Sequence, residues 1–340
     1  MITGDIVLKN ILITGGAGYV GNRLVPKLLS SGYYVTVYDI LYFGKETLPL
    51  SHPNLHVIQG DIRDIALFEK SVKGIDIVLH LACISNDPSF ELDENLSKTV
   101  NYDCFEPLVV ASKAAGVKRF VYCSSSSVYG VSDAPQVTEE TPLVPLTLYN
   151  KYKGLCEPLL FKHLSPDFVC VVIRPATICG YSPRMRLDLS VNILTNHGVN
   201  KDCITVFGGS QKRPNLHIED MCDLYAMLLI APSEKIQGEI FNVGYQNFTI
   251  LEIAHMVKKV IAEEYPEKLP LGINITESND NRSYHISSEK IKRILGFVAK
   301  RSVEDAVRDL CYAFKAKKLP DSFSNAWYYN VRQLQVRETV

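Results

Sequence analysis

A glycine-rich turn constrains this chain more than any other feature. Thr14-Gly15-Gly16-Ala17-Gly18-Tyr19-Val20-Gly21 follows an apolar, strand-like run, Lys9 to Thr14, and opens a helix-like segment, Tyr19 to Ser31. Gly15, Gly18 and Gly21 are spaced i, i+3, i+6, while Gly16, Gly18 and Gly21 satisfy G-x-G-x-x-G. Missing side chains permit the tight turn, let the backbone approach a pyrophosphate, and let the helix pack closely on the sheet. Free N–H groups at the helix start then face the anion. A glycine triplet alone is also compatible with plain turn chemistry, so its meaning depends on the elements downstream of it.

The next element is a second strand, Tyr33 to Asp39, that ends on a carboxylate 18 residues after Gly21. An acidic residue at that interval accepts hydrogen bonds from the adenosine ribose hydroxyls and repels a 2′-phosphate, which favours NAD over NADP. Further strand candidates recur at His56 to Gln59, Asp76 to Ala82 and Lys118 to Ser124. Helix-like stretches at Asp64 to Val72 and Asn95 to Ala115 separate them. None of these strands shows strict polar alternation, as expected when both faces are buried, so the pattern predicts a parallel sheet covered by helices on both sides.

At 340 residues the chain outgrows a single core. Beyond residue 126 prolines at 135, 142, 145, 166, 175 and 183 punctuate it and the loops lengthen, so a smaller lobe is expected there. A helix over Leu148 to His163 and a buried strand over Phe168 to Ile173 precede helices around 187–197, 218–230, 249–264, 287–295 and 302–316. The predicted division is a cofactor-binding domain over residues 1–175, joined by a returning segment near 215–245, with a discontinuous lobe over 176–340. An aromatic tail from Pro320 through Trp327, Tyr328 and Tyr329 is expected to dock at an unspecified place.

Composition removes several classes. With 36 basic against 37 acidic side chains, the chain lacks the broad positive field of a nucleic-acid or polybasic membrane binder. Its apolar runs, such as Val169 to Ile173, are far shorter than a bilayer span, and no signal peptide is expected because Asp5 and Lys9 interrupt the only apolar stretch before the glycine-rich turn. Nine cysteines without a C-x-x-C pair read as small buried hydrophobes in a reducing, cytoplasmic setting, and no metal site is expected.

Chemistry enters at two segments. Val121-Tyr122-Cys123-Ser124-Ser125-Ser126-Ser127-Val128-Tyr129-Gly130 ends a strand at the carboxyl edge of the sheet, where ligands bind in this architecture. Downstream, Tyr149-Asn150-Lys151-Tyr152-Lys153 puts a tyrosine and a lysine at i, i+4 on one helix face. A nearby ammonium and a positively charged nicotinamide both favour phenolate, lowering a tyrosine from its reference of about 10 toward neutrality so that it serves as general base. A serine hydroxyl then orients the alcohol oxygen whose proton moves.

Thr14-Gly15-Gly16-x-Gly18-x-x-Gly21, Asp39, Asp61, His80-Leu81-Ala82, Asn101, Ser124-Ser125-x-x-Val128-Tyr129-Gly130, Tyr149-x-x-x-Lys153 and Arg174-Pro175 together resemble the extended short-chain dehydrogenase/reductase family. Within it the chain looks most like nucleotide-sugar epimerases and dehydratases of the UDP-glucose 4-epimerase type. The resemblance implies a Rossmann-type doubly wound parallel sheet with a smaller C-terminal α/β substrate lobe. It makes Tyr149 the base, Lys153 the group that lowers its pKa and holds the nicotinamide ribose, and Ser125 the hydroxyl partner. Contacts to NAD are implied for Gly15, Gly18, Tyr19, Val20, Gly21, Asp39, Asp61, Ile62, Leu81, Ala82, Cys83, Asn101, Ser124, Tyr149, Lys153 and Pro175. Substrate contacts are implied for Ser126, Thr177, Arg186, Asn192, Arg213 and Arg282, the two last being arginines suited to a nucleotide diphosphate. The basic segment Pro183-Arg184-Met185-Arg186 belongs to the same expected cleft. A homodimer pairing Asn95 to Ala115 and Leu148 to His163 into a four-helix bundle is also implied.

Members of the family differ after the catalytic serine or threonine. Where 4,6-dehydratases carry an Asp-Glu pair, this chain has Ser126-Ser127, so dehydration lacks its acid and base. Epimerisation at C4 through a transient 4-keto sugar needs no such pair. A 4-keto-sugar reductase would use the same three residues, and a non-catalytic NAD-binding regulator would keep the fold, so both stay open as alternatives. Thr177 stands where many C4-epimerases have a substrate-binding asparagine, which leaves the sugar open.

Overall fold

The computed structural model describes residues 8–338 apart from 133, 135, 269, 278–282 and 284. In chain order the first half runs β1 (Asn10–Thr14), α1 (Gly21–Ser30), β2 (Tyr34–Asp39), β3 (Leu55–Gln59), α2 (Ile65–Ser71) and β4 (Ile77–His80). Next come α3 (Asp87–Phe90), α4 (Glu94–Lys98), α5 (Phe105–Ala114), β5 (Arg119–Cys123), α6 (Leu148–Phe161) and β6 (Val169–Pro175). The second half continues with β7 (Thr177–Cys179), α7 (Ser190–Asn200), β8 (Cys203–Phe207), β9 (Lys212–His217), α8 (Ile218–Ile230), α9 (Ser233–Ile236) and β10 (Glu239–Val243). It closes with β11 (Gln246–Thr249), α10 (Ile250–Glu264), β12 (Gly272–Thr276), α11 (Glu289–Leu295), α12 (Val303–Lys315) and α13 (Asn330–Glu338).

Seven strands form one sheet in the order β10-β6-β5-β4-β1-β2-β3, every pair of it parallel. Period-two side-chain alternation divides each apolar run between two cores. Ile11, Ile13, Val37, Leu79, Val121 and Ile173 pack on one face with Leu24 and Leu28 of α1 and Leu224 and Leu228 of α8. Leu12, Val78, Phe120, Tyr122 and Val172 pack on the other with Phe68 of α2, Leu108 of α5 and Leu160 of α6. This two-sided burial is why the runs read as continuously apolar. One strand departs from the expectation: β3 is a sheet edge and none of its residues is fully buried.

The chain builds outward from β1 through β2 to β3, then returns to the other side of β1 with β4. That reversal opens a crevice at the carboxyl ends of β1 and β4, the place where ligands enter doubly wound sheets. The helix expected over Asn95 to Ala115 is interrupted by a π-helical turn at Thr99–Asp103 between α4 and α5. After β6 the chain adds a three-stranded sheet, β11-β9-β7, and a two-stranded one, β12-β8, and rejoins the main sheet through β10. α7, α10 and α12 cover the smaller sheets around Ile204, Val206, Ile253, Val257 and Val307. Among the described residues no helix is long and apolar enough to cross a membrane.

Candidate active site

A cleft of about 630 Å³ opens at the switch point. Its floor is the glycine turn. Gly15 has φ +71°, and a Cβ there would lie 2.7 Å from the Ala82 backbone nitrogen; a Cβ on Gly21 would lie 2.2 Å from the Gly16 carbonyl oxygen. Both are distances real Cβ atoms do not tolerate, so α1 starts against the strand ends only because these positions lack side chains. Asn22, buried in the first turn, donates from Nδ2 to Ala17 O at 2.7 Å and fixes the turn. At the end of β2 the Asp39 carboxylate accepts from Ala17 N at 3.0 Å and Leu41 N at 2.8 Å. Burial pushes this carboxyl up, against the pull of those two N–H groups and of Arg184. Gly15, Gly18, Tyr19, Val20, Gly21, Asp39, Asp61, Ile62, Leu81, Ala82, Cys83, Ser124 and Pro175 all line the cleft. A glycine cradle at a helix N-terminus beside a pinned carboxylate is what a dinucleotide's pyrophosphate and ribose require.

Ser125, Tyr149 and Lys153 line the same space. Thr147 caps α6, its hydroxyl accepting from Asn150 N at 3.3 Å, so Tyr149 lies in the first turn, at the positive end of the helix. One turn on, the buried Lys153 ammonium donates to Cys123 O at 2.8 Å, which anchors it to the end of β5. Ser125 caps a short 3₁₀ turn, Ser126–Tyr129, and its hydroxyl lies 2.7 Å from that of Ser127. Ser127 in turn donates to Asn150 Oδ1, so one hydroxyl chain ties the serine loop to the residue after Tyr149. Beneath them Ser124 donates to Glu157 at 2.6 Å, and Glu157 pairs with Arg174 at 2.5 Å in a buried ion pair that also reaches Tyr129 OH at 2.6 Å. These hydrogen bonds fix the serine loop and Lys153 against the end of β5 and the start of α6.

The opposite wall comes from the second half of the chain. Arg186, Thr177 on β7, and Arg213 on β9 line it, while Ser126 lines the cleft from the serine loop after β5. Arg186 makes a bidentate pair with Asp188 at 2.9 and 3.1 Å and donates to Ser85 Oγ at 3.2 Å. It is close enough to Tyr149 for their charges to interact.

Two expected contacts lie elsewhere. Asn101, on the π-helical turn, sits behind the wall and spends its side chain on the backbone of Ile84, at 2.8 and 2.9 Å. Asn192 is fully buried and holds Gly180 N, Tyr19 OH and Arg186 O, so it shapes the wall without lining it. Arg282 lies outside the described residues.

Several lining residues are not picked out by any sequence motif named above: Ser85, Asn86, Asp87, Asp188 and Asn330. A signal existed for Asn86 and Asp87. Asn86-Asp87-Pro88 lies just beyond β4, and Asn86, at φ +74°, caps α3 by accepting from Ser89 N at 2.9 Å. A non-glycine residue at positive φ in a cleft marks a backbone held for a purpose. Asp188 and Asn330 had no such mark, since only the folded chain brings the tail to this wall.

Residues 11–244 match the NAD dependent epimerase/dehydratase family. An uncharacterized protein of Sinorhizobium fredii is 31% identical over 255 residues, covering 74% of this chain and 61% of that protein. A UDP-glucose 4-epimerase of Lactobacillus helveticus is 28% identical over 325 residues, covering 87% of this chain and 94% of its own length. In fold, the chain resembles the UDP-glucose 4-epimerase of Thermotoga maritima solved with UDP-glucose, with a TM-score of 0.80 at 23% identity over 91% of this chain and 99% of that one. The chain belongs to the NAD dependent epimerase/dehydratase family and is an enzyme of the extended short-chain dehydrogenase/reductase type, its glycine cradle and Asp39 fitting NAD as cofactor.

Proposed function

We propose that the protein is a nucleotide-sugar epimerase that inverts C4 through a transient 4-keto sugar. The observation that carries this reading is the convergence of Ser125, Tyr149 and Lys153 on the cofactor cleft, with hydroxyls at 126 and 127 in place of a carboxylate pair. NAD, held by the glycine turn and Asp39, would supply the acceptor and then the donor of the hydride exchanged with the sugar carbon. Tyr149, as phenolate favoured by Lys153 and the start of α6, takes the C4 hydroxyl proton and later gives it back. Ser125 orients that hydroxyl, its own position fixed through Ser127 and Asn150. Rotation of the keto sugar between the two steps presents its other face.

On the far wall we assign the nucleotide diphosphate to Arg213, the arginine on β9 that lines the cleft, with Thr177 and Ser126 near the sugar. Residues up to 175, with the return through α8 and β10, would carry the cofactor while the remainder closes over the sugar. Exposed Val110 on α5 and Leu155 on α6 support a dimer built on those helices; a monomer in light scattering removes that assembly. The test of the central assignment is Tyr149→Phe, assayed by NMR with UDP-, GDP-, dTDP- and CDP-sugars. Epimerisation should fall about 10²- to 10⁴-fold while bound NAD is retained. Full turnover by that variant defeats the assignment.

A further inference from the structure

Arg184 is almost completely buried in the wall of the cleft, yet it is only half partnered. Among the described residues Nη2 donates to Asn330 Oδ1 at 2.6 Å and Nη1 makes a long contact to Met185 O at 3.4 Å, both neutral acceptors. Its Nε–H has no partner among the described residues. The guanidinium lies 3.5 Å over the Phe43 ring, which sets its plane. Arg174 provides the contrast, a buried arginine whose charge is answered by Glu157. Burying a guanidinium without a directly paired carboxylate is unfavourable, and burial followed by the like charge of Arg186 brings Arg184 down to about 9, although Asp188 and Asp39 pull it up through space. A cost of this kind, in a cleft, points to an anion that arrives from outside.

Position identifies the anion. Arg184 is near enough to both Tyr19 and Asp39 to feel their charges. Tyr19 belongs to the glycine turn at the start of α1, and Asp39 ends β2. The stretch of chain carrying Arg184 is laid across that turn, since Ser182 Oγ donates to Tyr19 O at 2.7 Å and Tyr19 OH donates to Gly180 O at 2.5 Å. The C-terminal tail then clamps the arginine. Besides holding Arg184, Asn330 donates to Ser85 Oγ at 2.8 Å and, through its backbone, to Asp188 at 3.2 Å. Trp327 Nε1 reaches Phe43 O at 2.8 Å and Gln333 Nε2 reaches Tyr42 O at 3.0 Å.

We propose that Arg184 is the side-chain half of the cofactor's diphosphate site, closing from the C-terminal lobe over the anion that the α1 N-terminus holds from below, with Asn330 fixing the guanidinium. The assignment rests on the family's cofactor and not on the epimerase reading, so each can fail alone. The test uses the full chain, stripped of dinucleotide, and the probes NAD, ADP-ribose, adenosine and NADP. Loss of a charge-assisted hydrogen bond corresponds to about a tenfold to hundredfold weakening. Arg184→Met should bind NAD and ADP-ribose at least about tenfold more weakly, bind adenosine as before, and melt no lower than the parent when stripped. Asn330→Ala should shift the same two ligands in the same direction by less. Unchanged ADP-ribose binding, or an equal loss for adenosine, overturns the proposal; so does a loss confined to NADP, which would place Arg184 at the ribose 2′ position. Should Arg184→Met fail to fold, Arg184→Lys keeps the charge without the planar fork, and unchanged ADP-ribose binding in that variant is then the contrary result.

Discussion

The two walls of the cleft are made in different ways. On the N-terminal side the surface is backbone: glycines 15 and 21 in contact with Ala82 and Gly16, strand ends at Thr14, Asp39 and Cys123, and a helix start aimed at the ligand. On the C-terminal side it is side chain: Arg213, the Arg186–Asp188 pair, and Arg184, the last held by a tail residue 146 positions beyond it, Asn330, which also donates to Asp188. A backbone surface tolerates no added atom, whereas a side-chain surface can be rebuilt by substitution without moving a strand. The first suits a cofactor common to a whole family and the second, apart from the Arg184 proposed for the cofactor's diphosphate, suits a substrate that varies within it.

Breaking the backbone wall should have the largest effect. Gly21→Val puts atoms where the Gly16 carbonyl already lies, so the start of α1 must move. The purified variant is expected to carry no NAD; dinucleotide released on denaturation, measured by chromatography, checks this, and normal NAD content would show that the turn is not the cradle.

In the other wall, a cut at Arg213, the arginine assigned to the substrate and not to the cofactor, should leave the cofactor alone. Arg213→Met is expected to retain NAD while the KM for the nucleotide-sugar rises about tenfold or more, the loss of one charge-assisted contact. NAD loss in that variant would erase the distinction between the walls. The smallest effect sharpens the picture of the backbone wall. His80, at the end of β4, is buried with Nδ1 2.9 Å from Thr14 Oγ1, and burial, reinforced by Lys153, holds its pKa down to about 3. Its unfolded-state pKa is about 6.5, so between these values the unfolded chain binds the extra proton and stability falls as pH falls. The expected loss is about 1.4 kcal/mol per pH unit below 6.5. Urea titrations of the parent and His80→Gln from pH 7 to pH 5 should converge as pH falls; a constant difference between them would mean that His80 is protonated in the fold.

Legibility in the sequence obeys the same division. β1, β2, α1 and α6 were readable because their signals are local: apolar runs, glycine spacing, and the i, i+4 placement of Tyr149 and Lys153. β9 and β11 were not, because Lys212–His217 contains Pro214 and Gln246–Thr249 has no apolar run, and they become strands only by tertiary pairing, β11 with β9 and β9 also with β7. Asn101 shows the limit at a single residue. Its position in the motif was plain, but the π-helical turn that directs its side chain to Ile84 has no local signature. The tail docking was unreadable for the stronger reason that Trp327 and Asn330 find partners at Phe43 and Ser85, far off in sequence.

The central claim is that Tyr149, Ser125 and Lys153 run a reversible oxidation at sugar C4 without net use of cofactor. Once the sugar panel has identified the substrate, the most direct measurement is to supply it deuterated at C4 and monitor the product by NMR with no added reductant. The account predicts an epimer that keeps its deuterium at C4, formed with no change in the enzyme's NAD content. An epimer that has lost that deuterium to solvent, or product formed only when NADH or NADPH is added, would contradict it.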